Sequence, residues 1–277
     1  MPCKGLRRHF IEMFVEIYFL LMTFVLGLIL GSFANVCILR IPKEASIITP
    51  GSHCPLCMKS LRWYHNIPLL SYIFLGGKCA YCRSPISIRY PLVELVTGLL
   101  TLSWFISFGF TSLSFILVPF GLLIIIMSGI DFEHYILPQE LTYTLMAAGL
   151  LSSFFNPYME NLFSDKLIGR FFYSSVCLAS GGGIIFIIRL LGTLAFKKEA
   201  MGIGDIKLMM GIGAYAGLKG IFWTIFIGSL LGSIAGLFMI IKGRKEKLGY
   251  IPFGPFLSGG AVIYMHLGRI LDRFISL

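Results

Sequence analysis

Charge is scarce in this chain. Asp, Glu, Lys and Arg together make up only 13% of its 277 residues, where a soluble globular domain carries about 25%. That shortage excludes an ordinary water-soluble enzyme. The signatures of several catalytic classes are missing as well. No G-x-S-x-G marks a serine-hydrolase nucleophile, no H-E-x-x-H marks a zinc metalloprotease, and no Walker loop cradles a nucleotide phosphate. A soluble-type glycine-rich methyltransferase loop is absent too. Lys4, Arg7 and Arg8 precede an apolar run, but that run extends from about Ile17 to Leu39 with no A-x-A site behind it. It is too long for the core of a cleaved signal peptide and reads as a true span.

What the chain has in abundance is apolar sequence. Its hydrophobic fraction is 57% and its mean hydropathy is +0.86. Stretches of roughly 20 apolar residues recur with turn signals between them, the pattern of a multi-pass helical membrane protein. The fold class is therefore all-α and polytopic, with about eight transmembrane helices. They are expected near 14–38, 90–109, 113–130, 136–155, 168–192, 203–218, 221–241 and 252–271. The only long polar segment is 40–89. The expected organisation is an amino-terminal segment and first helix (1–39), a cytoplasmic insertion (40–89) and a seven-helix membrane domain (90–277).

Basic residues set the orientation. With 40–89 in the cytoplasm, that face gains the basic residues of the insertion, Arg189, Lys197, Lys198 and Lys207, and the run Lys242, Arg244, Lys245 and Lys247. The bias puts both termini outside, against the pull of the amino-terminal basic cluster. The net charge of +10 is then accounted for by topology and contact with anionic membrane lipid, and nucleic-acid binding is not needed. No feature sets an oligomeric state. Small residues four apart, Gly27 with Gly31, Gly213 with Gly217, and Gly228, Gly232 and Gly236, are expected to let helices approach closely.

Four of the seven cysteines form two CxxC pairs, Cys54 with Cys57 and Cys79 with Cys82. Two such knuckles can wrap a tetrahedral zinc ion in four thiolates. Two disulfides are the alternative, which a reducing cytoplasm disfavours. An insertion of this size is too small for a self-sufficient core and needs a staple. With no coordination position left open, the zinc reads as structural. His53 is a competing ligand or a solvated loop residue. Cys3, Cys37 and Cys177 stand alone and read as inert.

Among thirteen acidic residues, two sit at the ends of apolar spans. Asp131 closes the third span in SGIDFEHYILPQELT, and Asp205 opens the sixth in MGIGDIKLMMG. Taken singly, each reads as a solvated helix-end charge. As a pair they are separated by an even number of crossings, which returns both to the cytoplasmic face. Acids at such positions are costly unless they meet water or a partner. Two facing carboxylates can share one proton and hold a water, one acting as base and the other polarising a scissile carbonyl. Gly202 and Gly204 just before Asp205 leave room for close backbone approach. Glu94 lies early in the second span, and Glu133 and His134 flank Asp131.

These segments resemble the type IV prepilin peptidases, membrane aspartyl proteases of the GxGD type. GSFANVCILRIP (31–42), the insertion with Asn66, Pro68, Ser71 and Tyr90, IDFEHYILPQELT, MGIGDIKLM and IPFGPFLSGG (251–260) carry the resemblance. Ala34 and Gln139 depart from the family pattern without removing a catalytic group. The resemblance implies catalytic aspartates at Asp131 and Asp205. It implies supporting roles for Gly202, Gly204, Lys207, Pro252, Gly254 and Glu94, and zinc on Cys54, Cys57, Cys79 and Cys82. It further implies removal of a short basic leader from prepilins or pseudopilins at the cytoplasmic side of a bacterial inner membrane. N-methylation of the new terminus from S-adenosylmethionine is implied with it. A peptidase without methylation and a zinc-ribbon transporter or scaffold are the competing readings.

Overall fold

In a computed structural model of the chain, the structure describes residues 3–159, 167–197, 201–242 and 252–275. Lys198, Arg244, Lys245, Lys247 and Ile251, used above, lie outside them. Among the described residues eight α-helices follow in order: α1 (Cys3–Arg40), α2 (Leu70–Phe74), α3 (Arg89–Phe108), α4 (Ser112–His134), α5 (Gln139–Ser152), α6 (Leu167–Phe196), α7 (Ile203–Ile241) and α8 (Gly254–Ile275). No β-strand occurs among the described residues. Five of the helices, α1, α3, α4, α6 and α7, are long and apolar enough to cross a membrane. The protein is thus an all-helical, multi-pass membrane protein. It forms two compact units whose division along the chain falls within α4, after Leu122.

In the first unit α1 packs along α3. The four-residue spacing of Gly27 and Gly31 is the reason. A β-carbon on Gly27 would come within 2.8 Å of the Gly98 Cα, and one on Gly31 within 2.6 Å of the Glu94 Cα. The two backbones are therefore in direct contact, as small residues at membrane helix interfaces allow. Elsewhere α1 leaves Phe14, Ile17, Tyr18 and Leu21 exposed, the surface that lipid covers. Between α1 and α3 lies the insertion, which contains only the short α2 and two 3-10 turns at Ile41–Lys43 and Trp63–Asn66.

In the second unit α5, α6 and α8 all pack on α7. Although α7 is hydrogen-bonded as one element of 39 residues, it is not a straight rod. Gly217 has φ 73° and ψ −179°, a region of backbone space that essentially only glycine occupies. A β-carbon on Gly181 of α6 would touch both Met209 O, at 2.5 Å, and Ile221 Cδ1, at 3.6 Å. A straight helix would hold those two residues about 18 Å apart along its axis. The chain therefore reverses at Gly217. The sequence-predicted spans 203–218 and 221–241 are the two arms of α7.

The reversal frees backbone groups, and neighbouring side chains take them up. Ser174 Oγ donates to Ala214 O at 2.9 Å, Asn156 Nδ2 donates to Tyr215 O at 2.8 Å, and Leu218 N–H donates to Tyr173 Oη at 3.4 Å. Asn156 and Ser174 are fully buried, where an unpaired carbonyl would cost a few kcal/mol. The predicted span 136–155 becomes the 14-residue α5, which starts only after Pro138. Proline cannot donate the N–H of a continuing helix, and its extended ψ of 137° ends the previous segment. Both α5 and the first arm of α7 are about 21 Å long.

Candidate active site and metal centre

Asp131 lies in the last turn of α4 and Asp205 in the first turn of α7. Their exposures are 6% and 8%, so neither is the solvated helix-end charge it resembles in sequence. Each carboxylate is oriented by one backbone amide. Gly202 N–H donates to Asp205 Oδ2 at 3.1 Å, a local cap at the helix N-terminus. Gly254 N–H, at the start of α8, donates to Asp131 Oδ2 at 3.1 Å. The two carboxylates lie within electrostatic reach of each other. A charge at the positive end of α7 is favoured by the helix dipole.

Close packing holds these three elements in register. A β-carbon on Gly254 would lie 2.5 Å from Asp131 Oδ2, and one on Gly204 would lie 2.8 Å from the Leu137 Cβ. Leu137 also reaches toward Gly254, its Cδ1 3.6 Å from the same hypothetical atom. Leu137 is thus a residue that sequence reasoning missed, an apolar wedge between the start of α7 and the start of α8. It lies within the segment IDFEHYILPQELT, but an apolar residue there gave no sign of its own role. Pro252 sits two residues before α8 and is partly buried. Lys207 engages α5. Its Nζ donates to Tyr143 Oη at 3.2 Å and stands 4.8 Å from the centre of that ring.

The other expected residues fall in the first unit. Glu94 is 8% exposed, with its Cα against Gly31 as described. Its Oε2 accepts the Leu69 N–H at 2.9 Å. One turn earlier on α3, Tyr90 O accepts Asn35 Nδ2 at 3.0 Å, while Asn35 Oδ1 is buried without a hydrogen-bond partner.

The sulfurs of Cys54, Cys57, Cys79 and Cys82 all lie within 4.8 Å of one another. Cys54 Sγ and Cys82 Sγ are 3.8 Å apart, close to the edge of a tetrahedron with Zn–S bonds of about 2.3 Å. Four thiols so spaced fit a zinc ion. The fold around them repeats. Cys54 N–H donates to Lys59 O and Met58 N–H to Cys54 O, and the same two bonds recur from Cys79 to Ser84 and from Arg83 to Cys79. Met58 and Arg83, in matching positions, both have left-handed φ, 57° and 59°. Two copies of one knuckle thus face a single point. The backbone N–H groups of Cys57 and Leu56 favour the Cys54 thiolate and push its pKa down to about 6, which suits a metal ligand. His53 instead bonds Gly51 O through Nδ1.

Comparison with known proteins gives the family. Residues 25–108 match the bacterial peptidase A24 N-terminal domain, and residues 116–237 match the type IV leader peptidase family. A prepilin leader peptidase/N-methyltransferase of Xanthomonas campestris pv. campestris is 36% identical over 274 residues, covering 90% of this chain and 92% of the relative. The chain belongs to the type IV leader peptidase family. Its relatives of the same description include one from Pseudomonas aeruginosa, 36% identical over 92% of both chains. Another, from Myxococcus xanthus, is 38% identical over 80% of this chain and 64% of the relative. No solved structure matches. Both aspartates lie in the segment matched to the leader peptidase family, and the four cysteines lie in the N-terminal match.

Proposed function

We propose that this chain cleaves the basic leader from type IV prepilins or pseudopilins at the cytoplasmic face of a bacterial inner membrane. Asp131 and Asp205 do the chemistry. The observation that carries this reading is the pair of buried carboxylates, each aimed by a single glycine amide and within electrostatic reach of the other. A water held between them loses its proton to one carboxylate and attacks the scissile carbonyl. The other carboxyl group, protonated, donates to that carbonyl oxygen; as the C–N bond breaks, the proton taken from the water passes to the leaving amine and the re-forming carboxyl product returns a proton to the second carboxylate. No covalent intermediate is required. Gly202, Gly204 and Gly254 allow close approach, Lys207 and Pro252 support the site from the elements that carry Asp205 and Gly254, and Leu137 spaces the two glycine-bearing helix starts.

The new amino terminus is then N-methylated. S-adenosylmethionine, when bound, supplies an electrophilic methyl group on a sulfonium. We place this step near Glu94, where a buried carboxylate and the unpartnered Asn35 Oδ1 offer acceptors to a cationic group. The four cysteines hold structural zinc that braces the insertion. The experiment is incubation of the purified, membrane-reconstituted protein with a prepilin and labelled S-adenosylmethionine. Leader loss with label on the mature-length product supports the whole reading. Leader loss without label reduces it to a peptidase, and loss of neither refutes it.

A further inference from the structure

The insertion carries a surface that neither proposed chemistry uses. Between Glu44 and Glu94 the sequence holds no acidic residue, while Lys59, Arg62, Lys78, Arg83 and Arg89 fall in that stretch. Two of these cations stand on a continuous aromatic cluster. Ring centres are 5.6 Å apart from Trp63 to Tyr64, 4.5 Å from Tyr64 to His65 and 5.5 Å from His65 to Tyr81. Arg62 Nη1 donates to Tyr64 Oη at 2.7 Å, and Lys59 Nζ lies 5.5 Å from the Tyr81 ring centre. Trp63 is 79% exposed. The adjoining α2 is apolar on one face. Leu70, Ile73 and Phe74 are spaced three and four apart, so they share that face, and they are 50%, 70% and 83% exposed.

The depth of this segment is fixed by one hydrogen bond. Leu69 N–H reaches Glu94 Oε2 at 2.9 Å, and Glu94 lies about 7.5 Å along α3 from Arg89. With 20 residues, α3 is about 30 Å long, the thickness of a hydrocarbon core. Its first two turns therefore lie at the bilayer boundary, and Leu69 must lie there too. Ser71 Oγ donates to Tyr64 O at 2.8 Å, which ties the aromatic cluster to the same level.

We propose that residues 59–74 lie in the headgroup layer of the membrane that α1 and α3 cross. Trp63 and the Leu70, Ile73 and Phe74 face insert at the acyl boundary, and Lys59 and Arg62 sit on the phosphates of anionic lipids. Trp and Tyr favour that boundary, and basic residues next to a span are held by anionic headgroups. A surface without one acidic group repels a basic peptide, so the prepilin leader is not its partner.

The test uses the full chain in vesicles of phosphatidylcholine alone or mixed with phosphatidylglycerol, with bromine on the upper acyl carbons. The emission of Trp63 is read as the difference between wild type and Trp63→Phe. In the anionic vesicles bromine is expected to remove most of that emission, and aqueous acrylamide to remove little. Lys59→Ala and Arg62→Ala should each lower the inserted-to-free ratio about fivefold there. Bromine quenching that is equal in both vesicle types overturns the role of anionic lipid. A Trp63 quenched by acrylamide and insensitive to bromine overturns the whole proposal. So does protection that arises only when a prepilin is added, because it would assign the patch to a protein partner.

Discussion

Gly254 donates its amide to Asp131 Oδ2 at 3.1 Å from the far end of the sequence, and a β-carbon on Gly254 would lie 2.5 Å from that same oxygen. The amide that aims the carboxylate and the space that admits it thus come from one residue. Gly254→Ala is expected to push Asp131 out of position while the protein still accumulates. A displacement of about 1 Å at a reacting group can cost around a hundredfold in rate. Cleavage of a prepilin by the purified variant at near the parent rate would remove Gly254 from the site.

The two aspartates are expected to act as one unit. Asp131→Asn and Asp205→Asn should each abolish cleavage, and the double variant should be no worse than either single one. Leader removal assayed on matched amounts of folded protein checks this. A single Asn variant with near wild-type activity would break the dyad assignment.

Zinc content gives a separate measurement. Elemental analysis of the purified chain should find about one zinc per molecule, and Cys54→Ser or Cys79→Ser should reduce it. On the proposed role of the ion as a staple, loss of metal should open the insertion to proteolysis. A metal-free protein with a protease-resistant insertion and full activity would contradict the centre.

At Gly217 the expected effect is on stability. Gly217→Ala places a side chain at φ 73°, where non-glycine residues cost on the order of 1–3 kcal/mol. The β-carbon would also come within 3.3 Å of Tyr158 O. A lowered thermal midpoint in detergent is the readout. An unchanged midpoint would mean that the reversal does not need glycine.

The two proposed chemistries should separate. Methylation needs a free amino terminus, so a pre-cleaved pilin is the correct substrate for testing it. Asp205→Asn is expected to transfer methyl to that substrate, and Glu94→Gln is expected to cleave intact prepilin but transfer little. Loss of transfer in a well-folded Asp205→Asn protein would place both reactions at one site.

Much of this was legible in the sequence because it is local. Apolar run lengths revealed the spans, two CxxC pairs marked the four cysteines that the structure brings together, and acids at span ends stood out against an apolar background. What stayed hidden depends on contacts across long stretches of chain. Leu137 matters only because Gly204 and Gly254 fold against it. Asn156, Ser174 and Tyr173 look like ordinary loop and helix residues until Gly217 turns the chain and leaves carbonyls to satisfy. The repeat of backbone bonds between the knuckles was invisible because Met58 and Arg83, in the turn positions, share no side-chain chemistry. The partner of Lys207 was hidden in the same way, since Tyr143 lies 64 residues away on α5.

The reversal at Gly217 also bears on the lipid. The arm that begins beside Asp205 and ends there is about 21 Å long, as is α5. A typical hydrocarbon core is about 30 Å thick. Helices that short leave a hydrophobic mismatch of about 9 Å, which a bilayer meets by thinning, at a fraction of a kcal/mol per Å. Around α5 and this arm the membrane is therefore expected to be pinched. A peptide bond that emerges just beyond a substrate's own apolar helix then has less hydrocarbon to cross before it meets water, and the local thickness of the host membrane becomes a variable of the reaction.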